Sequence, residues 1–150
     1  MSIQYHKYFN EKHFNPEVVT AVRVAIKSGL FKRDNSIDDK FKIIQELHSK
    51  LCLHYEIPQC NLILDINYLH CGHYSVETNE ITINKPSLVT YLHEFCHYYM
   101  IATKQLNNEN IARGWSISLY FIATPKLCKN AIEKGLIVHQ NKIVEDIQNV

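Results

Sequence analysis

The chain has 150 residues, 46% hydrophobic and 21% charged, with a net charge of +1. That is enough for one domain with a real core, and the composition is ordinary for a globular protein. No basic run offers a footprint for nucleic acid or an anionic membrane, and no apolar run reaches the length of a membrane span.

The N-terminus lacks the apolar centre of a signal peptide. Five cysteines stand at positions 52, 60, 71, 96 and 128, an odd number with no C-x-x-C pair. Reduced thiols in a cytoplasmic setting are therefore expected, with no disulfide framework.

Taken in order, residues 1–14 carry Tyr5, Tyr8, Phe9 and Phe14 without a clear period, as an arm packed on the body would. Asn15-Pro16-Glu17 is a helix start: a cap, a proline at the first position and an acid in the first turn. Gly29 is its expected end. Ser36-Ile37-Asp38-Asp39 opens a second helix, with Ile37, Phe41, Ile44, Leu47, Leu51 and Tyr55 at helical spacing and Pro58 beyond it. His48 and His54 on this helix read as ordinary surface residues.

The texture then changes. Asn61 to Ile66 is an apolar run typical of a buried strand, and Gly72 to Val76 is a second strand. Residues 77–80 read as a turn, followed by an alternating third strand, Ile81-Thr82-Ile83. Pro86 and Ser87 then open a helix whose apolar positions include Leu88, Leu92, Phe95, Cys96 and Tyr99. Asn107-Asn108 forms a loop or cap before a further helix from Glu109, which Pro125 follows. Residues 126–134 look helical, with Gly135 capping them; Leu136-Ile137-Val138 is a strand or another helix start.

The helix after Ser87 contains His93-Glu94-Phe95-Cys96-His97, an H-E-x-x-H motif. Residues four apart lie on one helical face, so two imidazoles can grip one metal ion. Glu94 is rotated off that axis and placed to meet a water on the metal. This is the layout of a zinc hydrolase with a carboxylate general base. Cys96 reads as a small buried packing residue rather than a ligand.

A catalytic zinc site needs a third protein ligand. Glu109, the first carboxylate after His97, is the first candidate; equally, an acid in a first helical turn is explained by the helix dipole alone. Two helices joined antiparallel by a tight turn would leave it about 10–15 Å from His97 at 1.5 Å rise per residue. Ligation would then require the motif helix to end soon after Tyr99, or the next helix to cross it steeply. His70-Cys71-Gly72-His73 gathers soft ligands and could hold a metal separately. His73, Tyr74, His139, Arg113 and Tyr98 are candidates to stabilise an oxyanion.

Gly72-His73-Tyr74, Asn79 to Asn84 and Leu92 to His97 together resemble the core of compact zincin metallopeptidases. The segment Glu109 to Pro125 is similar to the helix after the motif in the ImmA/IrrE family. The likeness covers roughly residues 58–125. It implies zinc, with His93, His97 and Glu109 as ligands and Glu94 as base. The interval from His97 to Glu109 is shorter than in that family and nearer to SprT-like proteases, whose third ligand is a histidine; a carboxylate there makes the site gluzincin-like.

The expected fold is α+β: a small, mostly antiparallel sheet packed on the motif helix, with helices on either side. Residues 1–57 form a helical scaffold, 58–125 the zincin-like core and 126–150 an extension of one domain. The expected activity is peptide-bond hydrolysis on a protein or peptide substrate, which would pair with Ile81–Ile83 if that strand is an edge. The alternatives are a metal-holding regulatory or toxin–antitoxin-type module, and a zinc hydrolase of a non-peptide bond.

Overall fold

The computed structural model describes residues 13–137. In chain order these form α1 (Pro16–Ala25), a π-helical turn (Ile26–Leu30), α2 (Ile37–His54), β1 (Asn61–Leu64), β2 (Gly72–Ser75), β3 (Glu80–Ile83), α3 (Leu88–Ala102), α4 (Glu109–Ala123) and α5 (Pro125–Glu133). The α+β class is as the sequence implied. Residues 1–12 and 138–150, with His139 and most of the expected last element, lie outside the described residues.

Four helix starts follow from single side chains. Asn15 accepts from the Val18 amide, Ser36 from Asp39, Ser87 from Thr90 and Asn108 from Ile111, each satisfying an amide the helix leaves unpaired. The ends are less obvious. After α3, the Lys104 amide donates to the Ile101 carbonyl and Gln105 to Met100, with Lys104 at φ 56°. Glu56 and Ile57 close α2 on Leu53 and Cys52 in the same way, with Glu56 at φ 56°. Both are left-handed closures of the Schellman type, which glycine usually occupies. Gly135 plays that part after α5, as expected.

The sheet has the order β1-β3-β2, with β1 parallel and β2 antiparallel to β3. It is thus evenly mixed rather than mostly antiparallel: β1 crosses over to lie on the far side of the β2–β3 hairpin. This corrects the expectation for Ile81–Ile83. That strand is central, both its sides are paired, and it cannot accept a further strand. The free edges belong to β1 and β2. The Asn84 amide donates to the Cys71 carbonyl, so residues 71, 73 and 75 face β3. The main-chain groups of Gly72 and Tyr74 therefore point outward.

One core runs through all the elements. Its centre is aromatic: Tyr55 stacks on Tyr99 with ring centres 4.1 Å apart, and Phe95 stacks on Trp115 at 6.0 Å. Phe95 and Tyr99 lie on one side of α3, and His93 and His97 on the other. The apolar face anchors the helix between α2 and α4 while the histidines stay at the surface of the fold.

His48 is not a surface residue. It is 1% exposed, with Nδ1 2.8 Å from the Tyr91 hydroxyl on α3 and Nε2 2.8 Å from the Cys60 carbonyl before β1. A buried imidazole needs two partners, and here they lie on two different elements. His54 is half-buried.

Candidate metal centre

Three groups converge at the half-buried face of α3. His93 Nε2 and His97 Nε2 are 3.3 Å apart; Glu109 Oε2 is 3.1 Å from the first and Oε1 2.7 Å from the second. The ligand atoms of His93, Glu94 and His97 also lie within 4.8 Å of one another.

α3 runs three residues past Tyr99, to Ala102, and Glu109 meets both histidines. The left-handed turn at Lys104 reverses the chain and residues 103–108 fold back along α3, so α4 begins beside His97 rather than at the helix end. The first turn of α4 thus presents a carboxylate to the site.

Proton bookkeeping shows what the cluster lacks. The Nδ1 of His97 is 2.7 Å from Asn107 Oδ1, an atom that can only accept, so Nδ1 carries the proton. In the neutral ring, Nε2 then presents a bare lone pair to a carboxylate oxygen and to a second imidazole. Donor atoms facing one point need a positive charge among them, either a proton on a ring nitrogen or a metal ion. Two imidazole nitrogens held tetrahedrally at about 2.0–2.1 Å from one ion would be about 3.3–3.4 Å apart, which is the spacing found. The Glu109 oxygens, at 2.7 and 3.1 Å, stand at ion-pair distance from the two rings, so His93 and His97, with Glu94 or Glu109 as the carboxylate, could hold a metal ion.

Glu94 differs from Glu109 in every respect. It is 8% exposed, whereas the Glu109 side chain is 62% exposed. Burial pushes the Glu94 carboxyl up to about 7, with nearby Glu109 adding to the rise; His97 and a hydrogen bond from the Tyr74 amide oppose it. For Glu109, burial also acts upward, but His93 and His97 together bring it below the usual carboxylate range. The outward Tyr74 amide thus ties Glu94 to the edge of β2. Gly72 makes the close approach possible: a Cβ there would stand 3.0 Å from Glu94 Cγ, 2.9 Å from Thr90 Cγ2 and 3.2 Å from the Thr82 carbonyl oxygen.

The other candidates fall away from this point. His70, Cys71 and His73 are exposed and form no cluster of three among the described residues. The Tyr74 hydroxyl donates to Asn79 and the Tyr98 hydroxyl to the Pro58 carbonyl. Arg113 is half-buried one turn along α4, its Nε shielded and unpartnered. Two clefts also lie elsewhere, a groove of about 440 Å³ between α1 and α2 and a polar pit of about 290 Å³ beside His48, and neither brings such donors together. Asn107 escaped the sequence reading, whose only signal there was an Asn-Asn pair suited to a loop.

No described helix is long and apolar enough to cross a membrane. Comparison of the chain with protein-family models, with curated proteins and with solved structures finds no match in any of the three.

Proposed function

We propose that the protein is a zinc-dependent metallopeptidase of gluzincin-like type. The observation that carries this is the meeting of His93 Nε2, His97 Nε2 and the Glu109 carboxylate beside a separate, buried carboxylate on Glu94. The resemblance of the motif and following helix to the ImmA/IrrE family, with SprT-like spacing, supports the same reading.

Bound by these residues, zinc would lower the pKa of a coordinated water towards about 7 and polarise a substrate carbonyl. Glu94, off the metal axis and raised to about 7 by burial, suits a group that takes a proton and returns it near neutrality. Its carboxylate oxygen accepts the proton of the attacking water and passes it to the leaving amine nitrogen. The Tyr74 amide keeps that carboxylate in place. No cysteine among the described residues belongs to the cluster, which favours an open catalytic site over a closed structural one. An extended peptide would lie along the outward main-chain groups of β2 other than the Tyr74 amide, which Glu94 takes, in place of the β3 pairing that the sheet order forbids. Unpaired Cys52, Cys60, Cys96 and Cys128 in the interior accord with a cytoplasmic setting.

The test compares wild type with Glu94→Gln. Both should bind about one zinc per chain, while the variant's peptide turnover falls at least ~10²-fold. Wild type that takes up no zinc, or a variant that keeps full turnover, would end this reading.

A further inference from the structure

We propose that Asn107 is a positioning residue for His97, fixing its tautomer and ring rotation so that Nε2 is aimed with a free lone pair at the point shared with His93 and Glu109. The inference rests on the reading of His97 as a metal donor. Asn107 Oδ1 lies 2.7 Å from Nδ1 and can only accept. The imidazole proton is thereby held on the ring's far side, and the tautomer that could not bind a metal through Nε2 is disfavoured.

Asn107 is not the cap of α4; its neighbour Asn108 is, accepting from the Ile111 amide at 2.9 Å. The two adjacent asparagines therefore divide two tasks, one closing the helix and one holding the histidine. An exposed hydrogen bond of this kind competes with water unless its partner is already oriented. Here the strap that carries it is pinned at several points. Gln105 donates its amide to Met100, and the Thr103 hydroxyl donates to the Tyr99 carbonyl at 2.7 Å. Gln105 Nε2 donates to Thr103 at 2.7 Å, and Gln105 Oε1 lies 2.8 Å from His13 Nε2. The same strap delivers Glu109 two residues later, so one short segment sets both the third carboxylate and the orientation of the second imidazole.

The experiment is a zinc titration of wild type, Asn107→Ala and Asn107→Asp, with thermal unfolding of each metal-free protein, and ¹⁵N NMR of the His97 ring without metal at one fixed pH. Asn107→Ala should weaken zinc about 10–100-fold, with unfolding almost unmoved because the residue is exposed and caps nothing. Asn107→Asp, which keeps the acceptor, should restore wild-type affinity. The metal-free wild-type ring should carry a proton on Nδ1, whether or not Nε2 also holds one towards Glu109, and the Ala variant should lose that Nδ1 proton in part. Unchanged zinc affinity in Asn107→Ala, or a wild-type ring with no proton on Nδ1, would overturn the proposal. If wild type binds no zinc, the metallopeptidase reading fails, while the metal-free spectra still decide whether Asn107 controls the ring.

Discussion

The burial of His48 yields a sharp prediction about pH. Its pKa is lowered chiefly by burial, partly offset by its bond to the Cys60 carbonyl. The unfolded side chain takes up a proton near pH 6.5 while the folded one resists. Above that pH neither state is protonated and the full contribution to stability is present. As pH falls below it, the unfolded state binds the proton first and stability drops, by up to about 1.4 kcal/mol per pH unit until the folded ring also protonates. The surroundings leave this titration isolated. Burial lifts the Cys52 thiol to about 11 and the Cys60 thiol to about 12, and raises the Tyr91 hydroxyl well above its ordinary value. None of them changes charge between pH 5 and 7. The other residues of the adjoining pit, Gln45, Ser49, Gln59, Asn61 and Leu62, are uncharged. Replacing His48 with Gln removes the titration and also strains two hydrogen bonds, for about 1–3 kcal/mol at pH 7.5. Urea unfolding of metal-free protein at pH 7.5 and 5.5 measures both effects. The difference between wild type and variant should shrink as pH falls. A difference that stays constant would show that His48 is charged in the fold and that its burial has been misjudged.

Glu109→Ala should sharply weaken zinc binding; loss of only about 0.3–1 kcal/mol of stability, with affinity intact, would reduce the residue to a helix-dipole partner. Glu94→Gln should stabilise metal-free protein at pH 8, on the order of 1–3 kcal/mol. The reason is that between pH 4.5 and about 7 the folded carboxyl keeps a proton the unfolded one has released, so stability falls as pH rises through that window; a destabilised variant in thermal or urea unfolding would contradict this. Lys104→Gly should raise stability by up to about 1 kcal/mol in urea unfolding, because it relieves a left-handed side-chain residue; a clear loss would mean the lysine side chain has another role. Gly72→Ala should lower stability by about 1–3 kcal/mol and reduce turnover, since the added methyl presses on Glu94, Thr90 and the backbone of β3. Unchanged turnover would separate that glycine from the site.

Much of this arrangement was legible because it is local. Caps at Asn15, Ser36 and Ser87 act within three residues, and the i, i+4 spacing of His93 and His97 needs only a helix. What resisted was long-range or disguised. The burial of His48 depends on Tyr91, 43 positions away, and a lone histidine beside charged and polar neighbours carries no sign of such a partner. The parallel pairing of β1 with β3 is a choice of topology that alternating side chains cannot express. The reach of Glu109 was obscured by the turn at Lys104. A glycine there would have announced a left-handed helix end; a lysine does not, and without the reversal the carboxylate seems stranded. Asn107 could be recognised only after that reversal placed it beside His97.

The single tryptophan adds a consequence of another kind. Trp115 is fully buried and stacks on Phe95, which lies between Glu94 and Cys96 on the helix that carries the histidines. Its indole therefore senses the packing of that helix from the side opposite the two histidines. Intrinsic emission excited at the indole should follow any shift of α3 against α4 without an added label. With Tyr55 and Tyr99 closely stacked nearby, the near-ultraviolet circular dichroism should be strong in the folded protein and collapse when the helix loosens. The chain thus contains its own optical gauge of whether ion capture tightens the scaffold or leaves it unmoved.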